Sequence, residues 1–135
     1  MKREVIMCVD DEKQILDSLS LLFEDEYDVL TFTNPELALK EYLINPSIIA
    51  VISDHRMPMM KGIQMFQEMK KKMPNRVCFN VLYTGYSEME AEMGEMIKTK
   101  VINEFLTKAC PTKLLMNTIE SGIQRVKSQA KHVVL

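Results

Sequence analysis

Ile48-Ile49-Ala50-Val51-Ile52-Ser53-Asp54 is an uncharged stretch of strand length that runs directly into a carboxylate. A strand with one wet face would alternate apolar and polar residues. Unbroken apolarity over this length marks a strand covered on both faces, as in the middle of a parallel sheet. The same event recurs elsewhere. Val5-Ile6-Met7-Cys8-Val9 empties into Asp10-Asp11, Val81-Leu82-Tyr83 stops at Thr84, and Phe105-Leu106 stops at Thr107-Lys108. Parallel strands bring their carboxyl ends to one edge, and open α/β sheets bind ligands outside that edge.

Strand-like and helix-like segments alternate along the chain. Strands are expected at Glu4–Asp10, Tyr27–Phe32, Ile48–Ser53, Val77–Tyr83 and Val101–Leu106. Glu12–Glu24 has helical spacing, with Ile15, Leu16, Leu19, Leu22 and Phe23 on one face. Asn34-Pro35 predicts a capped helix start, and that helix runs to about Ile44, before Pro46. Gly62–Met73 reads as a helix with Phe66, Met69 and Met73 inward, broken by Pro74-Asn75. Ser87-x-x-Glu90 has the form of a capping box. The helix it opens carries a stripe of Met89, Met93, Met96 and Ile97, with Glu88, Glu92 and Glu95 outward. Pro111 opens the last helix, with Leu115, Ile119, Ile123 and Val126 inward. Five β-α units in series imply a parallel sheet with helices on both faces and right-handed crossovers.

The 135 residues fit one domain. We place it at residues 1–127, with 128–135, where the pattern fades, as a tail or linker stub. A net charge of −2 gives no electrostatic case for nucleic acid as a direct partner. No apolar run approaches the ~20 residues that cross a bilayer, and the N-terminus lacks the apolar core of a signal peptide. A cytoplasmic protein is the simplest expectation. Cys8, Cys78 and Cys110 lack metal-ligand spacing and read as reduced thiols, the first two as core residues. The twelve methionines mostly fall at helical core positions.

Gathered at one sheet edge, Asp10, Asp11 and Asp54 would repel strongly. Two carboxylates about 4 Å apart cost roughly 4 kcal/mol at an effective dielectric of about 20. A cation relieves this, and Mg²⁺ suits one or two carboxylates plus phosphate oxygens. Asp54 is the candidate nucleophile, since a carboxylate can attack phosphorus to give an acyl phosphate. Lys108 would neutralise the transferred group's oxygens and Thr84 would donate a hydroxyl hydrogen bond. The main-chain carbonyl of Arg56 is placed to complete a metal shell. His55 reads as a surface loop histidine.

The pieces Val9-Asp10-Asp11-Glu12, Ser53-Asp54-His55-Arg56-Met57-Pro58 with Gly62, Tyr83-Thr84-Gly85-Tyr86 and Phe105-Leu106-Thr107-Lys108 occur in this order over roughly Val5 to Val126. Together they resemble the receiver domain of two-component response regulators. The resemblance implies a flavodoxin-like (βα)5 three-layer sandwich with a parallel sheet in the order 2-1-3-4-5. It implies Mg²⁺ at Asp11 and Asp54 with Asp10 nearby, phosphorylation of Asp54 by a sensor histidine kinase or phosphotransfer protein, and phosphate contacts from Thr84 and Lys108. Thr84 and Phe105 would be the switch pair. The signalling face would be the fourth helix, last strand and last helix, which could also pair two copies. An output domain or effector would read it.

The chain departs from the family pattern in three places. Ala109 follows Lys108 where the family usually has a proline in a cis bond, so the isomer is left open and a less firmly placed lysine is expected. Lys61 stands where an acid is common and should face solvent. Arg56 and Tyr86 are bulky and flank the phosphate position, where they would restrict the approach of water to phospho-Asp54. Three rival readings compete. A Mg-dependent Asp-nucleophile phosphatase of the haloacid-dehalogenase type needs a second Asp at the position held by Arg56. A flavin carrier needs a phosphate loop where Asp10-Asp11-Glu12 stands. A pseudo-receiver would use the fold as an interaction module without phosphorylation.

Overall fold

The structure is a computed structural model that describes residues 3–85 and 90–133. Its elements are β1 (Val5–Val9), α1 (Lys13–Phe23), β2 (Asp28–Phe32), α2 (Pro35–Ile44), β3 (Ile48–Ser53), α3 (Gly62–Lys72), β4 (Phe79–Thr84), α4 (Glu90–Lys98), β5 (Glu104–Thr107) and α5 (Thr112–Val133). The five strands form one parallel sheet in the order β2-β1-β3-β4-β5. This is the expected flavodoxin-like sandwich. Tyr86, the Ser87 cap, Glu88 and Met89 lie outside the described residues.

Side-chain alternation sorts the core into two halves. Val5, Met7 and Val9 of β1 pack with Ala38, Leu39 and Tyr42 of α2, Met65, Phe66 and Met69 of α3, and Met93 of α4. Ile6 and Cys8 point the other way, to Leu16, Leu19 and Phe23 of α1 and Leu115, Ile119, Ile123 and Val126 of α5. A register shift between Val5 and Ile6, whose β3 partners are Ile48 and Ala50, lets Ile49 and Ala50 both serve the α1/α5 side. That is the signature of a bulge, one extra residue in one strand.

Local signals account for several boundaries. Asn34 accepts the Glu36 N–H at 2.9 Å at the start of α2, as its sequence predicts. β1 and β2 start one residue later than expected, and two strands differ by more. β4 starts at Phe79 rather than Val77, and it includes Thr84. β5 starts at Glu104 rather than Val101, because α4 ends in a Schellman turn that takes Val101 for itself. Lys100 N–H bonds Ile97 O at 3.0 Å, Val101 N–H bonds Met96 O at 2.9 Å, and Lys100 adopts φ 63°. The stripe on α4 is also narrower than its spacing suggests, since Met93 is buried while Ile97 is exposed.

Candidate functional site

Strand register assembles the site. Val9 pairs with Ser53, so the next residues, Asp10 and Asp54, lie side by side. Thr84 pairs with Thr107, which sets Lys108 beside the end of β4. The carboxylate oxygens of Asp10, Asp11 and Asp54 lie within 4.8 Å of one another. Lys108 Nζ sits 2.9 Å from Asp10 Oδ2 and 3.4 Å from Asp54 Oδ2. Asp11, Glu12, Asp54, Arg56, Gly85 and Lys108 line a cleft of about 430 Å³ over these groups. Asp10, Asp11, Asp54 and Lys108 are thus brought together, and the main chain of Thr84 lies beside Lys108.

Their burial differs with their contacts. Asp10 is buried and Asp11 exposed. Asp10 Oδ1 accepts the Glu12 N–H at 2.9 Å and Oδ2 faces Lys108, so both oxygens already have protein partners. Burial pushes the Asp10 carboxyl above its ordinary range, against the pull of Lys108 and the Glu12 N–H. Burial also works against the Lys108 ammonium. The carboxylates of Asp10 and Asp54 outweigh it and hold that ammonium above the ordinary lysine value. A cluster with three acids and one ammonium still favours a further cation. Its oxygen-only donor set suits Mg²⁺.

Lys108 is held more firmly than its sequence suggests. The Lys108–Ala109 bond, whose isomer the sequence leaves open, is trans. Placement comes instead from the Lys108 N–H, which donates to Thr84 O at 2.8 Å, and from a turn closed by Cys110 N–H on Thr107 O at 3.0 Å. These bonds tie the ends of β4 and β5 without the missing proline.

Thr84 is fully buried, and its Oγ1 has no hydrogen-bond partner among the described residues. A buried hydroxyl in that state costs on the order of 1–3 kcal/mol, which an added acceptor would offset. Phe105 pairs with Leu82, so it shares a sheet face with Thr84 two residues along. It is half-buried against the core on that side.

Asp54 itself is fixed by neighbours that sequence reading undervalued. Its N–H bonds Val9 O at 2.9 Å, and Ser53 Oγ donates to its carbonyl at 2.8 Å. Gly62 packs against the same carbonyl so tightly that a Cβ there would fall 2.2 Å from the oxygen. His55 is not a surface residue, being only 8% exposed, because it turns inward under the start of α3. Burial lowers the pKa of its imidazole, assisted by Lys61. Lys61 is exposed, as expected, and so is Arg56.

Comparison with known proteins agrees with this geometry. Residues 6–120 match the model of the response regulator receiver domain. The transcriptional regulatory protein FixJ of Bradyrhizobium diazoefficiens is 29% identical over 127 residues, covering 93% of this chain and 60% of that protein. The chain spans between 25% and 60% of the length of the curated relatives it matches. A receiver domain protein of Clostridium thermocellum superposes with TM-score 0.80 at 29% identity, over 93% of this chain and 98% of that one. The response regulator TrrA of Thermotoga maritima, solved with Mg²⁺ and BeF, superposes with TM-score 0.76 at 27% identity, over 88% and 98% of the two chains.

Proposed function

Since the chain belongs to the response regulator receiver domain family, we propose that it accepts a phosphoryl group on Asp54 in a Mg²⁺-dependent reaction, with a phosphohistidine on a sensor kinase or phosphotransfer protein as donor. The observation that carries this reading is the meeting of three carboxylates within 4.8 Å under one ammonium. Asp11, Asp54 and the Arg56 carbonyl would hold the metal, and Asp10, its oxygens already engaged, would act through charge and a metal-bound water. The ion supplies neutralisation of charge on the phosphoryl oxygens.

The chain's own residues do the rest. An Asp54 carboxylate oxygen attacks phosphorus as the P–N bond breaks, and the donor imidazole leaves as the neutral base once protonated. Lys108 neutralises a phosphoryl oxygen. Thr84 donates its unpartnered hydroxyl to another. Movement of Thr84 toward the phosphate opens space on the shared sheet face, which Phe105 can enter. The face formed by α4, β5 and α5 would then present the signal to an output domain or effector, or to a second copy. Residues 1–127 would act as the receiver and 128–135 as a tail or linker stub, its first part continuing α5 to Val133. Such a protein works in the cytoplasm and turns over no substrate other than its own phosphoryl group.

Incubation with Mg²⁺ and acetyl phosphate, read by intact mass, tests the proposal. The parent should gain one phosphoryl group, and Asp54→Asn should gain none. Equal masses in both would overturn it.

A further inference from the structure

Three hydrogen bonds tie His55 to its surroundings. Its N–H donates to Asp54 Oδ1 at 2.8 Å. Its carbonyl accepts the Gly62 N–H at 2.9 Å. Its Nδ1 accepts the Ile63 N–H at 3.5 Å. Gly62 and Ile63 open α3, and N–H groups there have no partner within the helix. One residue therefore joins the first turn of α3 to one oxygen of the acceptor carboxylate. The imidazole does not line the cleft over Asp54. It lines a neighbouring cleft of about 610 Å³ with Met57, Pro58, Lys61 and Glu92. That location, with Nδ1 turned to a backbone N–H, points to a structural part for the imidazole.

We infer that His55 is a positioning residue for Asp54, in which the anchoring of its carbonyl and imidazole to the start of α3 aims its own N–H at Asp54 Oδ1 and leaves Oδ2 turned to Lys108. The inference rests on the phosphoacceptor reading above. Its physical basis is that the peptide planes on either side of His55 are set independently. The carbonyl bond to Gly62 sets the plane after His55. The imidazole bond to Ile63 fixes the side chain and so restrains rotation about the His55 backbone. Together they fix where the His55 nitrogen sits, and the preceding plane, whose Asp54 carbonyl accepts from Ser53 Oγ at 2.8 Å, completes the aim of its N–H. Reacting groups lose rate steeply when displaced, about 100-fold for 1 Å. The imidazole bond is long and therefore weak, so its removal should cost less than that, about tenfold.

The test uses the whole chain with His55→Leu, which fills the space without an acceptor, and His55→Asn, which restores a short acceptor. Phosphorylation is followed with phosphoramidate and Mg²⁺, and exchange of the Ile63 amide by NMR. His55→Leu should lower the limiting rate about tenfold while the donor concentration for half-maximal rate stays the same, and should speed exchange at Ile63. His55→Asn should recover most of both. A parental rate in His55→Leu, no recovery in His55→Asn, or an unchanged Ile63 amide in His55→Leu would each overturn the inference. If the parent itself takes no phosphoryl group, the phosphoacceptor reading falls and this inference with it. A phosphorylated parent with a normal His55→Leu removes only the role of His55.

Discussion

The two ends of the sheet handle a cation in opposite ways. At the amino-terminal edge, the Arg76 guanidinium donates to the carbonyls of Tyr42, Asn45 and Ile48. It also stacks 4.0 Å over the Tyr42 ring. Main-chain oxygens cannot be exchanged for a ligand, so this cation fastens the end of α2 to the start of β3. At the carboxyl edge, Lys108 faces two carboxylate side chains, at 2.9 and 3.4 Å, beside a hydroxyl with no partner among the described residues. Saturation with fixed partners makes structure. Exchangeable partners and an unspent hydroxyl leave room for chemistry.

The contrast can be broken from either side. Arg76→Ala should lower unfolding free energy by about 3 kcal/mol, from lost charge-assisted bonds and stacking. Urea denaturation reads this loss, and the phosphorylation rate of the folded fraction should not change. Lys108→Ala should do the reverse. It should slow phosphorylation about 100-fold, read by intact-mass time courses, while the urea midpoint moves little.

Two glycines sharpen the same comparison. A Cβ on Gly122 of α5 would sit 2.2 Å from the Phe79 ring, and one on Gly62 would sit 2.2 Å from Asp54 O. Gly122→Ala should cost about 2 kcal/mol by overpacking, seen in denaturation alone. Gly62→Ala displaces the acceptor backbone and should reduce the phosphorylation rate about tenfold, seen in the rate before it is seen in stability.

The smallest effect concerns the cysteines. Burial pushes the Cys8 and Cys78 thiols up to about 12, whereas Cys110 is partly exposed. Native protein should react with a maleimide at Cys110 alone, and unfolded protein at all three. The buried pair also gives a sign for alkaline pH. Unfolded thiols ionise near their ordinary value of 9.0 while the folded ones keep their protons. Their stabilising contribution is therefore complete below pH 9 and declines between 9 and about 12.

Much of this was legible in the sequence. The apolar runs of β1 and β3, the Asn34-Pro35 start and the inward faces of α1 and α5 are local patterns set by burial, and they appeared where expected. The polar residues at strand ends were identified for the same reason, since an acid after a buried strand is a visible discontinuity. β5 was misjudged at its start because Val101 and Ile102 are as apolar as a strand. The Schellman turn that claims Val101 rests on Lys100 in a left-handed conformation where glycine is usual. His55 was misjudged because its environment comes from α3, eight residues later. Arg76 gave no sign of its role, as its carbonyl partners lie 28 to 34 residues away.

By itself the sequence determined the β-α alternation, the parallel sheet and the set of groups at its carboxyl edge, because burial periodicity is written residue by residue. Only the tertiary structure decided the registers Val9↔Ser53 and Thr84↔Thr107, which carry Lys108 Nζ to within 3.4 Å of both the Asp10 and Asp54 carboxylates. It alone showed Lys108 held without its proline and His55 turned inward. Register and orientation depend on packing between segments far apart in the chain, and a one-residue slip would turn every one of these side chains to the other face.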